Sequence, residues 1–206
     1  MELYKLGSRG AVVKQIQGAL HLIQDGIYGQ NTKAAVEAFQ REHSLKVDGV
    51  VGPATLALLI PEKYKKSKRT IKEIIVHCTA TPEGRNYTVE QCRADHKKQG
   101  WSDIGYHYLI YRDGSIHNGR DVDLIGAHCA AGGHNTYSIG VAYVGGVAKD
   151  GKTSKDTRTL QQKAALLNLL TNLRRQYQQA KIYGHHDFEK KKDCPSFDAK
   201  TEYKDL

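Results

Sequence analysis

Ile71-Lys72-Glu73-Ile74-Ile75-Val76-His77-Cys78-Thr79-Ala80-Thr81-Pro82 is where the chain changes character. Ile71, Ile74, Ile75 and Val76 make an apolar, β-branched run of strand length, and Thr79 to Pro82 close it as a loop. The run predicts a buried strand that ends in a histidine, so an imidazole is delivered at the strand's mouth, where loops carry function. Successive strand residues face opposite ways, so Cys78 is expected as a packed thiol. Taken alone, a histidine at a strand end is more often a hydrogen-bonded structural residue. From Thr70 onward β and α signals alternate, which predicts a mixed α/β domain.

Downstream, Thr88-Val89-Glu90-Gln91 has the form of a capping box, opening a helix that runs to about Gln99 and stops at Gly100. Tyr106 to Ile116 alternates around Asp113-Gly114 and predicts a β-hairpin, with Tyr106, Tyr108 and Ile110 on one face and His107, Leu109 and Tyr111 on the other. Tyr106 follows Gly105 at the strand entrance and is placed to reach a site; a sheet-surface tyrosine is the plainer reading. Gly126-Ala127-His128 and Gly133-His134-Asn135 form a glycine-rich loop. It either binds substrate, through His128 and Asn135, or is an ordinary surface loop. Ser138 to Gly146 reads as another buried strand. Leu160, Ala164, Leu167 and Leu170, with Leu166, Leu169, Leu173 and Tyr177, outline a long helix over the sheet. Ile182-Tyr183 then forms a short strand leading to His185.

The stretch Gly184 to Asp198 holds His185, His186, Lys190, Lys191, Lys192 and a cysteine, Cys194, in front of Pro195. Two kinds of zinc ligand therefore lie close in sequence, separated by an interval that suits a loop folding both onto one point. Two ligands do not hold a catalytic zinc. His77 is the candidate third, and the His/Cys loop turns the reading of that residue from structural to ligating.

Upstream, Asp25-Gly26-Ile27-Tyr28-Gly29-Gln30-Asn31-Thr32 recurs as Asp48-Gly49-Val50-Val51-Gly52-Pro53-Ala54-Thr55, an offset of 23 residues. In each copy Asp-Gly makes a turn, an apolar residue tucks inward, the second glycine permits a tight bend, and a polar or proline-led segment opens a helix. Asn31 to Glu42 reads as a helix with Ala34, Ala35, Ala38 and Phe39 on a small-residue face. Val12, Ile16, Ala19, Leu20 and Ile23 give an earlier helical stripe. Residues 1–60 are thus expected as a three-helix module.

A chain of 206 residues allows one or two domains. It has no apolar run of the ~18 residues a membrane span needs, so membrane insertion is not expected. Met1 to Gly7 lacks the basic cap and apolar core of a secretory signal. The four cysteines, Cys78, Cys92, Cys129 and Cys194, follow no disulfide framework, which suits a reducing compartment of synthesis and thiols free to bind metal. Of the net charge of +9, residues 1–60 carry +1, residues 61–69 carry +4 and residues 70–206 carry +4. The short basic stretch reads as a solvated linker, with a domain boundary near residue 65. The positive balance favours polyanions: nucleic acid, anionic lipid or the acidic polymers of a bacterial envelope. No recognition helix or zinc-finger spacing supports nucleic acid as a partner.

Two resemblances sharpen these expectations. Leu6-Gly7-Ser8-Arg9-Gly10, Gln15, Leu20, Phe39-Gln40 and the two Asp-Gly turns together resemble the peptidoglycan-binding domain family, which implies a noncatalytic anchor on the bacterial cell wall. Val76-His77-Cys78-Thr79-Ala80-Thr81, Gly105-Tyr106-His107-Tyr108, Ser138-Ile139-Gly140-Val141 and His185-His186 with Lys192-Asp193-Cys194-Pro195-Ser196-Phe197-Asp198 occur in one order. They resemble the zinc-dependent N-acetylmuramoyl-L-alanine amidases of the type 2 fold, especially phage lysozyme-like members, over nearly all of residues 70–200. The resemblance implies one zinc ion per chain held by His77, His185 and Cys194, with Tyr106 and Lys192 in catalysis. The interval before the cysteine is one residue longer than in that family, which leaves His186 open as an alternative to His185; the family uses the first of the pair. Two imidazoles and a thiolate leave one metal position open for water activated near neutral pH. The resulting attack would open the amide between N-acetylmuramic acid and L-alanine, with Lys192 beside the oxyanion and Tyr106 assisting proton transfer.

The expected architecture is therefore two domains: a small three-helix all-α module (1–60), a basic linker (61–69), and an α/β amidase domain (70–206) with a central mixed β-sheet flanked by helices. The expected protein is a monomeric peptidoglycan hydrolase of the phage or prophage endolysin type. It would be made in the host cytoplasm and act on the wall in the periplasm after release. A noncatalytic peptidoglycan recognition protein and an amidase recycling wall fragments in the cytoplasm are the alternatives.

Overall fold

Two buried glutamines account for the 23-residue repeat. In the computed structural model, which describes residues 3–60 and 64–206, Gln17 Nε2 donates to Asp25 Oδ1 (2.7 Å), to the Ile27 carbonyl (3.0 Å) and to Thr32 Oγ1 (3.2 Å). Twenty-three residues on, Gln40 Nε2 donates to Asp48 Oδ1 (3.1 Å), the Val50 carbonyl (2.9 Å) and Thr55 Oγ1 (3.2 Å). Each glutamine also accepts from the glycine amide of its turn, Gly26 at 2.8 Å and Gly49 at 2.9 Å. Each side chain thus fastens an Asp-Gly turn to the helix it precedes. Both glycines have positive φ, 76° and 63°, which the turn requires.

The helices of this unit are α1 (Ala11–Ala19), α2 (Gln30–Glu42) and α3 (Pro53–Leu59), the last opened by a proline in its first turn. Their core is Tyr4, Val13, Ile16, Tyr28, Val36, Val51 and Leu59, with Val12, Leu20 and Phe39 packed at its edge. The stripe expected to reach Ile23 ends earlier. His21 takes a positive φ of 56°, which stops α1 and leaves Ile23 87% exposed.

By contacts the chain divides into Met1–Tyr64 with Asp205–Leu206, and Lys65–Lys204. Residues 61–63 of the expected linker lie outside the described residues. Its remainder is not a solvated tether. Lys65 Nζ lies 2.8 Å from both Asp121 and Asp123, and Ser67 Oγ donates to the Val122 carbonyl at 2.6 Å. Arg69 donates to the carbonyls of Val122 (2.9 Å) and Ser138 (2.9 Å). Unpaired acids and carbonyls of the following domain give these cations partners that a composition reading of the segment could not supply.

The second unit is built on a five-stranded sheet of order β4-β3-β5-β1-β7. Its strands are β1 (Glu73–Cys78), β3 (Tyr108–Ile110), β4 (Ile116–Asn118), β5 (Ser138–Tyr143) and β7 (Lys181–Gly184). A two-residue pair, β2 (Thr81–Pro82) with β6 (Gly146–Val147), lies apart. Strand β4 is antiparallel to β3, as the hairpin pattern requires, and the rest pair in parallel, so the sheet is mixed. Helix α4 (Val89–Lys98) opens with the reciprocal capping box at Thr88 and Gln91. Its Val89 and Cys92 pack with Ile104, Leu109, Ala142 and Val144. Helix α5 (Leu160–Gln176) buries Leu166, Leu169, Leu170 and Leu173, and a short α6 (Ala199–Glu202) follows the last loop.

Two expectations shift in detail. Leu160 is 83% exposed and Ala164 also faces solvent, because the buried stripe of α5 starts at Gln162, whose amide caps the carbonyls of Ile110 (3.2 Å) and Val144 (2.9 Å). The strand expected to reach Gly146 stops at Tyr143. Gly145 and Gly146 have φ of 139° and 104°, and a Cβ on either would collide with Thr157 or Cys78.

Candidate active site

Parallel pairing does the main work of assembly. Strand β7 runs beside β1 in a register that sets Gly184 against Val76, so the next residues, His185 and His77, emerge side by side at the strands' C-terminal ends. Their ring centroids are 4.6 Å apart at an interplanar angle of 60°. The chain then turns through a 3₁₀ segment, His185–Asp187, and doubles back. Gly184 N–H donates to Asp187 Oδ2 (2.9 Å), Lys192 N–H to the Glu189 carbonyl (2.9 Å) and His186 N–H to the Cys194 carbonyl (2.8 Å). This return brings Cys194 Sγ to 3.7 Å from His77 Nδ1 and to 3.2 Å from the Cys78 amide, which donates to it. Beyond it, Tyr143 hydroxyl holds the Pro195 carbonyl (2.7 Å), and the buried Arg158 guanidinium lies 3.3 Å from the Phe197 ring centroid.

One ligating atom from each of His77, His185 and Cys194 lies within 4.8 Å of the others, the only such group of three among the described residues. His185 belongs to it; His186 is half-buried outside it. Burial pushes the His77 imidazole well below its ordinary range, reinforced by His128, His185 and the Lys192 charge. Burial, then Lys192, lowers His185 as well, so both rings are neutral donors. The hydrogen bond with Cys78, with burial next, raises the Cys194 thiol, so a thiolate there calls for a cation. His185 Nε2 is buried without a hydrogen-bond partner. Glu189 Oε2 is 3.1 Å away from it, a contact of opposite charge that lacks hydrogen-bond geometry. Neutral nitrogens, a thiol and an unserved buried nitrogen make a donor set that fits zinc.

Tyr106 stands next to this group, its ring 5.2 Å from that of His77. Burial raises its hydroxyl well above the usual tyrosine range, so it remains a proton-bearing donor. Its position is set by its neighbours: Gly105 N–H donates to His96 Nδ1 on α4 (3.0 Å), and His96 packs against both Trp101 and Tyr106. Lys192 Nζ is 3.1 Å from Glu189 Oε2, the same oxygen that approaches His185. Glu189 escaped the sequence reading, although its spacing of four from His185 and three from Lys192 is that of residues on one turn.

The loop expected to meet substrate through His128 and Asn135 is used differently. His128 is buried, with Nδ1 3.0 Å from His77 Nε2 and Nε2 3.3 Å from Ser138 Oγ. Asn135 Oδ1 accepts from the amides of His128 (2.9 Å) and Cys129 (2.8 Å). Both therefore serve the interior: an imidazole fits where polar groups behind His77 need partners, and the asparagine closes the turn that carries it. His107, on β3's entrance, is likewise internal. It accepts from the Gly140 amide at 2.9 Å, and burial depresses it to about 4.

Residues 67–197 match the family model of N-acetylmuramoyl-L-alanine amidase, and residues 9–59 match that of a peptidoglycan binding domain. The chain belongs to the N-acetylmuramoyl-L-alanine amidase family. Among its relatives is the endolysin of Klebsiella phage KP32, 42% identical over 138 residues that cover 67% of this chain and 88% of that protein. Among solved structures, the endolysin amidase LysCS from Clostridium intestinale URNW aligns with a TM-score of 0.54 at 28% identity, covering 68% of this chain and 88% of that one. Drosophila PGRP-LB aligns with a TM-score of 0.54 at 25% identity, covering 69% and 84%.

Proposed function

We propose that the chain is a zinc-dependent peptidoglycan amidase of the endolysin type, which opens the bond between N-acetylmuramic acid and L-alanine. The observation that carries this reading is the convergence of His77, His185 and Cys194 at the ends of two parallel strands, with His185 Nε2 left without a hydrogen-bond partner. The endolysin relatives and the amidase family match support the reaction; the N-terminal match to a peptidoglycan binding domain supports anchoring through residues 1–60, with residues 70–206 as the catalytic domain.

In this reading His77, His185 and Cys194 hold one zinc ion. When bound, zinc supplies the Lewis acidity that activates water and polarises the scissile carbonyl at neutral pH. The protein's own groups do the rest. Lys192, restrained by Glu189, presents an ammonium to the oxygen that gains charge as the carbonyl carbon is attacked. Tyr106 keeps its proton through burial and donates it toward the departing amine of L-alanine. The half-buried loop from Glu189 to Cys194 forms the rim across which a polymeric substrate would lie.

The test is digestion of purified peptidoglycan. New N-terminal L-alanine is expected, whereas new reducing ends alone would mean a glycosidase and sink the proposal. Metal analysis of the wild type should find one zinc per chain, and Cys194→Ser should lose both metal and turnover. The likeness to PGRP-LB supports a second reading, recognition without cleavage. Peptidoglycan binding with no release of L-alanine by the zinc-loaded protein would favour it.

A further inference from the structure

His77 presents two nitrogens to two different surroundings. Nδ1 faces the candidate ligand group, 3.7 Å from Cys194 Sγ, and Nε2 faces inward, 3.0 Å from His128 Nδ1. The two rings meet edge-on, with centroids 5.0 Å apart at 76°. His128 Nε2 in turn lies 3.3 Å from Ser138 Oγ on β5, and all three residues are buried. The line Ser138-His128-His77 therefore runs from the middle of the sheet to the ligand group.

The space around His128 is cut to hold an imidazole. A Cβ on Gly126 would sit 2.5 Å from His128 Cδ2, and one on Gly140 would fall onto the same ring. The backbone on either side of the ring is pinned by Asn135 Oδ1. His107, whose ring centroid is 5.6 Å from that of His128, has its Nδ1 occupied by the Gly140 amide (2.9 Å) and its Nε2 3.1 Å from the Leu124 carbonyl. It bounds the cavity without competing for either nitrogen of His128.

We propose that His128 is a positioning residue that fixes the tautomer and ring orientation of His77, so that the Nδ1 lone pair is held toward the metal. This rests on the reading of His77 as a zinc ligand. A lone pair on Nδ1 requires the His77 proton on Nε2. That N–H donates to His128 Nδ1, which must then be the acceptor, so His128 carries its own proton on Nε2 and donates it to Ser138 Oγ. The reverse arrangement, with His128 Nδ1–H donating to His77 Nε2, moves the His77 proton to Nδ1 and blocks the lone pair. Ligating histidines ordinarily give their second N–H to a carboxylate, a carbonyl or water. An imidazole does the same here while keeping the buried layer neutral, with direction supplied by the Ser138 hydroxyl at its far end.

The test uses the full chain. Long-range ¹H–¹⁵N spectra of the zinc-loaded protein labelled with ¹⁵N-histidine should place the non-ligating proton of His77 and the proton of His128 both on Nε2. A proton on His128 Nδ1 overturns the proposal. Zinc affinity, measured by competition with a chromogenic chelator, should fall ~10–100-fold in His128→Leu. His128→Gln, whose Oε1 can accept from His77, should recover most of that loss. If the wild type takes up no zinc, the underlying ligand reading fails. If the wild type binds zinc and a folded His128→Leu binds it equally well, only the role of His128 fails. Where His128→Leu does not fold, the wild-type spectrum alone decides.

Discussion

Replacing Gln40 by alanine should remove the closure of the second Asp-Gly turn and melt the N-terminal unit before the rest of the chain. The side chain is buried, and its loss strands the Gly49 amide (2.9 Å) and Thr55 Oγ1 (3.2 Å), both in buried residues. Each buried polar group left without a partner costs ~1–3 kcal/mol, so the pair amounts to ~2–6 kcal/mol. The bonds to Asp48 and Val50 lie nearer solvent, where water can replace them. A unit of about 60 residues has roughly 3–9 kcal/mol of stability at ~0.05–0.15 kcal/mol per residue. The substitution therefore consumes a large part of the total. Hydrogen-exchange mass spectrometry on the full chain should show the opening free energy of α2 and α3 fall by that amount. Peptides from the five-stranded sheet should be unchanged, and retention on insoluble peptidoglycan should weaken. Because Gln17 makes the matching set of bonds to Asp25, Ile27 and Thr32, Gln17→Ala should cost the same within ~1 kcal/mol. A loss below ~1 kcal/mol for Gln40→Ala would refute the assignment of these glutamines as the turns' fastenings.

His107 gives a pH prediction. Its imidazole is depressed from 6.5 to about 4, largely by burial, so between those values the unfolded chain takes up a proton that the folded chain refuses. Stability is accordingly full above ~6.5 and falls as pH drops toward ~4, by up to ~3 kcal/mol from this group. Urea titrations of the full chain at several pH values should show that slope in the second unit, reduced in His107→Gln. Lys192→Met should lower kcat on peptidoglycan roughly 100-fold, the ~3 kcal/mol typical of one lost donor to a developing oxyanion, with zinc content unchanged. A kcat within about threefold of wild type would remove Lys192 from the mechanism.

The main elements were legible because local chemistry sets them. The β-branched run ending at His77, the Thr88 capping box and the Asp113-Gly114 hairpin each carry their signal within a few residues, and each takes the expected form. The ligand group could be anticipated from residue type and order, since a strand end and a proline-locked cysteine are features of sequence. What stayed hidden depends on contacts across the chain. Arg69 reads as a solvated cation until the carbonyls of Val122 and Ser138 come within reach. Gln17 and Gln40 look like surface helix residues, and nothing nearby marks them as buried. His128 sits in a glycine-rich stretch that suggests an open loop, yet those glycines make room for its ring. Glycine reports that space is needed without saying whether solvent, ligand or a side chain takes it.

The register of β1 against β7 also orders events in time. His77 and Cys194 are 117 residues apart, and no shorter chain can bring them together. At ~5–20 residues per second of synthesis, roughly 6–23 s separate the appearance of the two groups on the ribosome. Throughout that interval a nascent chain possesses half a site and no means of cutting. Competence arrives at once, when the last parallel strand docks and the thiol swings in behind it, so the cell making the protein never houses a partly built lytic enzyme.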